Sequence, residues 1–193
     1  MSTIPIVTIP ADVLRAKTRP VTKFDAELQQ LIDNMIAALQ KANGAGLAAP
    51  QVGRSIKLAI IETLPDEDDE GNEIEDTREL FVIINPEIYW TSRETVKGLE
   101  GCLSIPGYVG EVERAESIRV RGLDRHGRKF RRRFYDWDAR IFQHEIDHLN
   151  GVLYIDKLTG PENIWTEEEF EAMREARQKE QEQSENRDPV VGD

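Results

Sequence analysis

Two of the chain's three histidines stand four residues apart, in His144-Glu145-Ile146-Asp147-His148. On a helix, side chains at i and i+4 leave the same face, so two imidazoles at this spacing converge on one point. That is how a helix presents two ligands to a metal ion, and the Glu beside the first ligand is placed to act as base toward a water there. Two core histidines beside a surface acid would be the plainer reading. With so few histidines in the chain, a pair at ligand spacing favours the metal. Two imidazoles need a third protein ligand if one position is to stay open. The zinc-protease pattern would put a His three residues after Gly151, and this chain has Tyr154 there. The glutamates after residue 161 are one source of a ligand, although they sit in a charged segment that reads as solvated. The one soft ligand is the single cysteine, Cys102, in Gly98-Leu99-Glu100-Gly101-Cys102. A lone cysteine is often an inert buried thiol, but a glycine-flanked one lies where backbone comes close to a metal. A Cys with two His suits zinc, and its mixed softness also suits ferrous iron.

A third cluster is Gly44-Ala45-Gly46-Leu47-Ala48-Ala49-Pro50-Gln51. Glycines and alanines leave backbone bare for a ligand, although an ordinary helix stop explains Gly44 equally well. Gln51 is different, because a neutral amide in so small-sided a segment is placed to donate to a developing oxyanion.

These residues need elements to hold them. Leu28, Leu31, Ile32, Met35, Ile36 and Leu39 recur at helical spacing over 25–42, with Asp25 to cap the start and Asn43-Gly44 to stop it. Residues 56–63 and 80–84 read as buried strands, and 117–123 with 128–135 as a hairpin across Asp124-Arg125-His126-Gly127. A second helix is expected over 139–149, capped by Asp136 or Asp138 and ended by Asn150-Gly151, with Phe142, Ile146 and Leu149 as its apolar stripe. A third should start at Thr166, where Thr166-Glu167-Glu168-Glu169 is a capping box. The order of elements predicts an α+β fold: mixed, mostly antiparallel sheets around a central metal-binding helix, with an N-terminal and a C-terminal helix. One catalytic domain is expected over 1–165, followed by a charged helix and tail over 166–193.

The 193 residues carry a net charge of −12, which argues against a generic nucleic-acid binder, DNA included. The acidity is local. Residues 66–79 carry a net −8 and residues 162–193 a net −7, so the remainder is slightly basic. The first reads as an exposed insertion and the second as a solvated helix. Against this, residues 119–133 hold eight Arg or Lys and one Asp. This basic hairpin is the better candidate for a transient contact with the ribosome, although its arginines could equally pair with the chain's own acids. No stretch suits a membrane span or a secretory signal, and one cysteine allows no intrachain disulfide, so a cytoplasmic protein is expected; a monomer is expected as well.

Taken in order, Gly44-Ala45-Gly46-Leu47-Ala48-Ala49-Pro50-Gln51, Glu100-Gly101-Cys102-Leu103-Ser104 and Gln143-His144-Glu145-Ile146-Asp147-His148-Leu149-Asn150-Gly151 resemble the three signature motifs of the peptide deformylases. The resemblance covers about residues 5 to 160 and implies hydrolysis of the N-formyl group of formylmethionyl nascent peptides. It implies Cys102, His144 and His148 as ligands of one divalent metal, Fe2+ in the cell with Zn2+, Ni2+ or Co2+ as substitutes. Glu145 becomes general base and then acid, while Gln51 and the backbone N–H of Leu103 hold the oxyanion. The peptide would lie extended along Gly44, Ala45 and Gly46 and along Gly98 to Glu100, with the methionine side chain near Trp137, Ile141 and Ala45. Some members carry a basic residue just after the cysteine motif. Here Gly107-Tyr108-Val109 stands there, and the nearest base is Arg114. Two other readings are a metal-dependent protease or amidase of another type, which needs a ligand not seen here, and a non-catalytic binding module, which would be expected to lack Glu145 or Gln51.

Overall fold

The computed structural model describes residues 4–65, 70, 74 and 77–185. Most of the acidic stretch 66–79 and the tail beyond 185 lie outside the described residues. Five strands form one sheet and three a second, and every pairing between strands is antiparallel.

Helix α1 (Ala26–Ala42) starts where the Asp25 carboxylate accepts the Leu28 N–H at 3.1 Å and stops at Asn43, which takes the left-handed conformation at φ 54°. Its buried face is Leu28, Ile32, Met35 and Leu39. Strands β1 (Gly46–Ala48), β2 (Leu58–Glu62), β3 (Leu80–Thr91), β6 (Ser117–Leu123) and β7 (Lys129–Tyr135) follow that order across the larger sheet. β2 is nearly all apolar because both of its faces are covered. Leu58 and Ile60 pack with α1, and Ala59 and Ile61 pack with helix α2 (Asp136–Leu149). Each fully buried Leu or Ile contributes roughly 1.5–3 kcal/mol. On the α2 side Phe142 stacks on Phe134, with ring centroids 3.8 Å apart, and meets Phe81 edge-on.

The smaller sheet is β4 (Thr95–Cys102), β5 (Ile105–Ala115) and β8 (Ile164–Thr166), and it closes over the other face of α2. Helix α3 (Glu167–Glu185) leaves it through the expected capping box: Glu169 N–H donates to Thr166 Oγ1 at 3.1 Å, and the Glu169 carboxylate accepts the Thr166 N–H at 2.9 Å.

Two boundaries differ clearly from expectation. β3 runs on through Asn85-Pro86 to Thr91 where the sequence suggests an end at 84. A register shift between Ile84 and Glu87, with Asn85 at φ 51°, absorbs the proline. α2 begins at Asp136 rather than 139, with Tyr135 as a cap that offers no side-chain bond. The Asp136 N–H instead donates to Glu116 O at 2.8 Å, and Asp136 and Asp138 lie in the first turn, where negative charge suits the helix dipole. The β4–β5 hairpin and β8 give no clear sequence signal.

Candidate metal centre

α2 has two working faces. Its apolar stripe faces the large sheet, and His144 and His148 point the other way, toward β4 and β5. At the end of β4 the pairing shifts register between Gly101 and Cys102. Such a bulge re-aims a side chain, and it brings Cys102 Sγ to 3.3 Å from His148 Nε2. One ligand atom from each of Cys102, His144 and His148 lies within 4.8 Å of the others. Tyr154, at the position where a zinc-protease histidine would fall, is buried and donates its hydroxyl to Tyr108 O at 3.1 Å.

The donor set fits a metal ion. His144 Nδ1 is bonded to Glu100 Oε2 at 2.8 Å, which turns its Nε2 toward the centre. Burial alone would lower the His144 pKa, but hydrogen bonds to Cys102 and Glu100 outweigh it and push the group up to about 10. Burial holds His148 well below the ordinary imidazole range, reinforced by the charges of His144 and Arg114. The centre thus gathers a sulfur and two imidazoles, with positive charge kept on only one of the rings, a place where a divalent cation can supply the positive charge instead. Beside it, Glu145 is 3% exposed, with Oε2 unpartnered among the described residues. Its burial pushes the carboxyl up to about 7. Gly46 makes the room for it, because a Cβ there would fall inside the Glu145 carboxylate.

Gln51 is buried and fixed. Its Oε1 accepts the Ala48 N–H at 2.8 Å, and its Nε2 faces Ser104 Oγ at 3.3 Å and Cys102 Sγ at 3.5 Å. A cavity of about 260 Å³ opens beside these groups. Gly44, Ala45, Gly46 and Gln51 line one wall, Glu100, Cys102 and Leu103 another, and Trp137, Ile141, His144 and Glu145 the third. Of the residues expected at the site, two do not line it. His148 is buried beneath, and Gly98 lies behind, where a Cβ would come within 2.9 Å of the Arg140 guanidinium carbon. Glu167, from the first turn of α3, lines the cavity although the sequence did not single it out.

The sequence also gave no sign of the ionic support under the ligands. Glu100, read as a backbone contact for substrate, uses its side chain inward. It accepts from Arg114 Nε and Nη2, both at 2.8 Å, and from Arg140 Nη1 at 2.9 Å, besides meeting His144. Burial would raise the Glu100 carboxyl, but Arg114 and His144 outweigh it and hold the group below the usual range. Arg114 therefore does not face a bound peptide: it is 4% exposed and also pairs with Asp147, between the two histidines.

A cysteine and two helix histidines around one point, with a buried carboxylate beside them at the end of a small-walled cavity, define the centre of a metal-dependent hydrolase. Comparison with known proteins narrows the class. A family model described as polypeptide deformylase matches residues 3–163. A peptide deformylase of Symbiobacterium thermophilum is 47% identical over 174 residues, 89% of this chain and 75% of that protein. Peptide deformylase 2 of a Nostoc species is 44% identical over 172 residues, 88% and 94% of the two chains. The crystal structure of the Thermotoga maritima peptide deformylase matches with a TM-score of 0.73 and 38% identity, over 83% of this chain and all of that one. The chain belongs to the polypeptide deformylase family.

Proposed function

We infer that this chain hydrolyses the N-formyl group from the terminal formylmethionine of newly made polypeptides, releasing formate, and that the three clustered ligands with Glu145 are its working parts. The observation that carries the reading is the juxtaposition at one end of one cavity. Three metal-ligating atoms lie together, and beside them stands a buried carboxylate, one oxygen of which has no partner among the described residues. Membership of the family supports the same activity.

Cys102, His144 and His148 would hold one divalent ion, which supplies Lewis acidity that polarises a carbonyl and lowers the pKa of water. Ferrous iron is proposed as the ion in the cell, with zinc, nickel or cobalt as substitutes. Glu145 takes a proton from the attacking water and passes it to the departing amine, so the C–N bond breaks as a new C–O bond is retained in formate. A carboxyl near pKa 7 suits both halves of that task at neutral pH. Gln51 Nε2 and the Leu103 N–H are proposed as donors to the oxyanion, each typically worth ~3 kcal/mol.

The peptide would run along the bare backbone of Gly44, Ala45 and Gly46 and along the β4 segment ending at Glu100, pairing as an added strand. Such pairing ignores side chains and suits an enzyme that meets many sequences. The methionine side chain would rest on Ile141, Trp137 and Ala45. Residues 1–165 form the proposed catalytic domain, with 166–193 an accessory helix and tail. No described helix is long and apolar enough to cross a membrane. A cytoplasmic monomer that meets its substrates at the ribosome is the proposed setting. Formate release from formyl-Met-Ala-Ser by metal-loaded protein tests the reading. Turnover of the formylated peptide alone is expected, whereas cleavage of unformylated peptides would point to a protease instead.

A further inference from the structure

The outward face of β3, β6 and β7 carries a ladder of arginines that the hydrolytic reaction does not use. β6 and β7 set Arg119 directly opposite Arg133 and Arg121 opposite Arg131. Like charges so placed repel one another. One carboxylate relieves them: Glu87 takes Arg121 Nη2 at 2.7 Å and Nε at 3.0 Å. Arg119, Arg131 and Arg133 form no ion pair among the described residues.

Their guanidinium groups are held by rings instead. Arg119 and Arg133 each lie 5.0 Å from the centre of the Trp90 ring, and Arg133 lies 4.6 Å from that of Tyr135. Arg131 sits 4.4 Å over Tyr89 and donates its Nε to the Tyr89 hydroxyl at 2.6 Å. Trp90 is 38% and Tyr135 52% exposed. Stacking fixes a guanidinium without neutralising it, so cations are preorganised here with N–H donors to spare. β7 is the open edge of its sheet, and Ile118, Val120 and Phe134 on the opposite face pack toward α2. A ligand on the ladder would therefore leave the cavity clear.

We propose that this face binds single-stranded RNA through its phosphates, with the exposed rings available to bases. Alternate residues on a strand lie about 6.7 Å apart, comparable with the step between neighbouring phosphates on one strand. Flat guanidinium groups match phosphate oxygens two at a time, and aromatic side chains beside a basic track are how single strands are held without sequence preference. The hairpin 119–133, with eight basic residues against one Asp, supplies the complementary charge in an otherwise acidic chain. This inference stands apart from the deformylase reading, since RNA binding and formate release are measured separately.

The test is fluorescence anisotropy of a labelled 20-nucleotide mixed-sequence RNA with the metal-loaded full chain. Binding is expected to weaken about 18-fold between 50 and 200 mM salt, as three released counterions, one each for Arg119, Arg131 and Arg133, imply at a slope of about −0.7 each. Arg119→Gln with Arg133→Gln should weaken it at least tenfold at 50 mM and cut that slope to about a third, with formate release unchanged. Replacing the same pair by Lys keeps the charge and loses the flat stack, and should fall between. If the double variant no longer melts as the wild type does, the single variants carry the test, each with about a threefold loss. No RNA binding at 50 mM salt, equal binding by the Gln variants, or binding to phosphatidylserine vesicles in place of RNA would each overturn the proposal.

Discussion

Glu100→Gln removes one charge from the ionic support under the metal ligands while keeping shape. In the wild type, one carboxylate serves Arg114, Arg140 and the ring of His144. The side chains of Arg114 and Glu100 are each 3% exposed and that of Arg140 8%, so water does little to compensate. Removing one partner of a buried ion pair costs roughly 3–5 kcal/mol. Asp147 still serves Arg114, and a Gln oxygen still accepts one bond, so the low end, about 3 kcal/mol, is expected. For a domain of this size that is a fall of about 6–12 °C in Tm. The second effect is on the metal. Without the carboxylate to hold the His144 Nδ1–H, the ring loses its fixed tautomer, and affinity should drop about 10- to 100-fold. Thermal melts of metal-free protein read the first effect, and competition with a chelator reads the second. A variant that melts within 2 °C of wild type and holds metal as tightly would refute the claim that Glu100 is the keystone of the site.

Glu145→Gln should keep metal and fold but lose at least about 100-fold in turnover, because an amide cannot take the proton; kinetics on variant protein of verified metal content reads this. Gly46→Ala pushes a methyl into the Glu145 carboxylate, so turnover should fall with little change in metal content, and wild-type kinetics would show that the two do not touch in solution. Phe142→Ala empties a fully buried site between Phe81 and Phe134 and should cost about 3–5 kcal/mol, measured by denaturant unfolding. Metal-free protein keeps a proton on His144 up to about pH 10. An ion bound below that pH displaces it, so apparent metal affinity should rise at least about tenfold per pH unit from 6 to 8. A flat affinity profile in chelator competition would contradict the protonated His144.

What the sequence discloses here is what local periodicity controls. His144 and His148 are legible because a helix fixes i and i+4 on one face, and α1 is legible from its stripe and from Asp25 at its start. Gln51 stands out as the amide in a run of small residues. Cys102 as the third ligand needed the family motif, since its placement depends on the bulge after Gly101 and on a sheet that the sequence hardly signals. β4 and β5 mix Lys97, Gly98, Glu100, Glu111, Glu113 and Arg114 because one face of that hairpin turns toward ionic groups rather than toward oil. Glu100 reads as a backbone contact for substrate, Arg114 as the nearest base after the cysteine motif, and Arg140 does not stand out, yet all three prove to be interior charges. Their pairing joins β4, β5 and α2, and no window of local sequence contains all three.

The central claim is that one ion held by Cys102, His144 and His148 makes this chain a deformylase. Titrating metal into metal-free protein while measuring formate released from formyl-Met-Ala-Ser tests it most directly. Turnover should rise in proportion to added ion, level off at one ion per chain, and stay at background in Cys102→Ala, His144→Ala and His148→Ala. Full turnover before any metal is added, or a Cys102→Ala protein that still takes up one ion and works, would contradict the account.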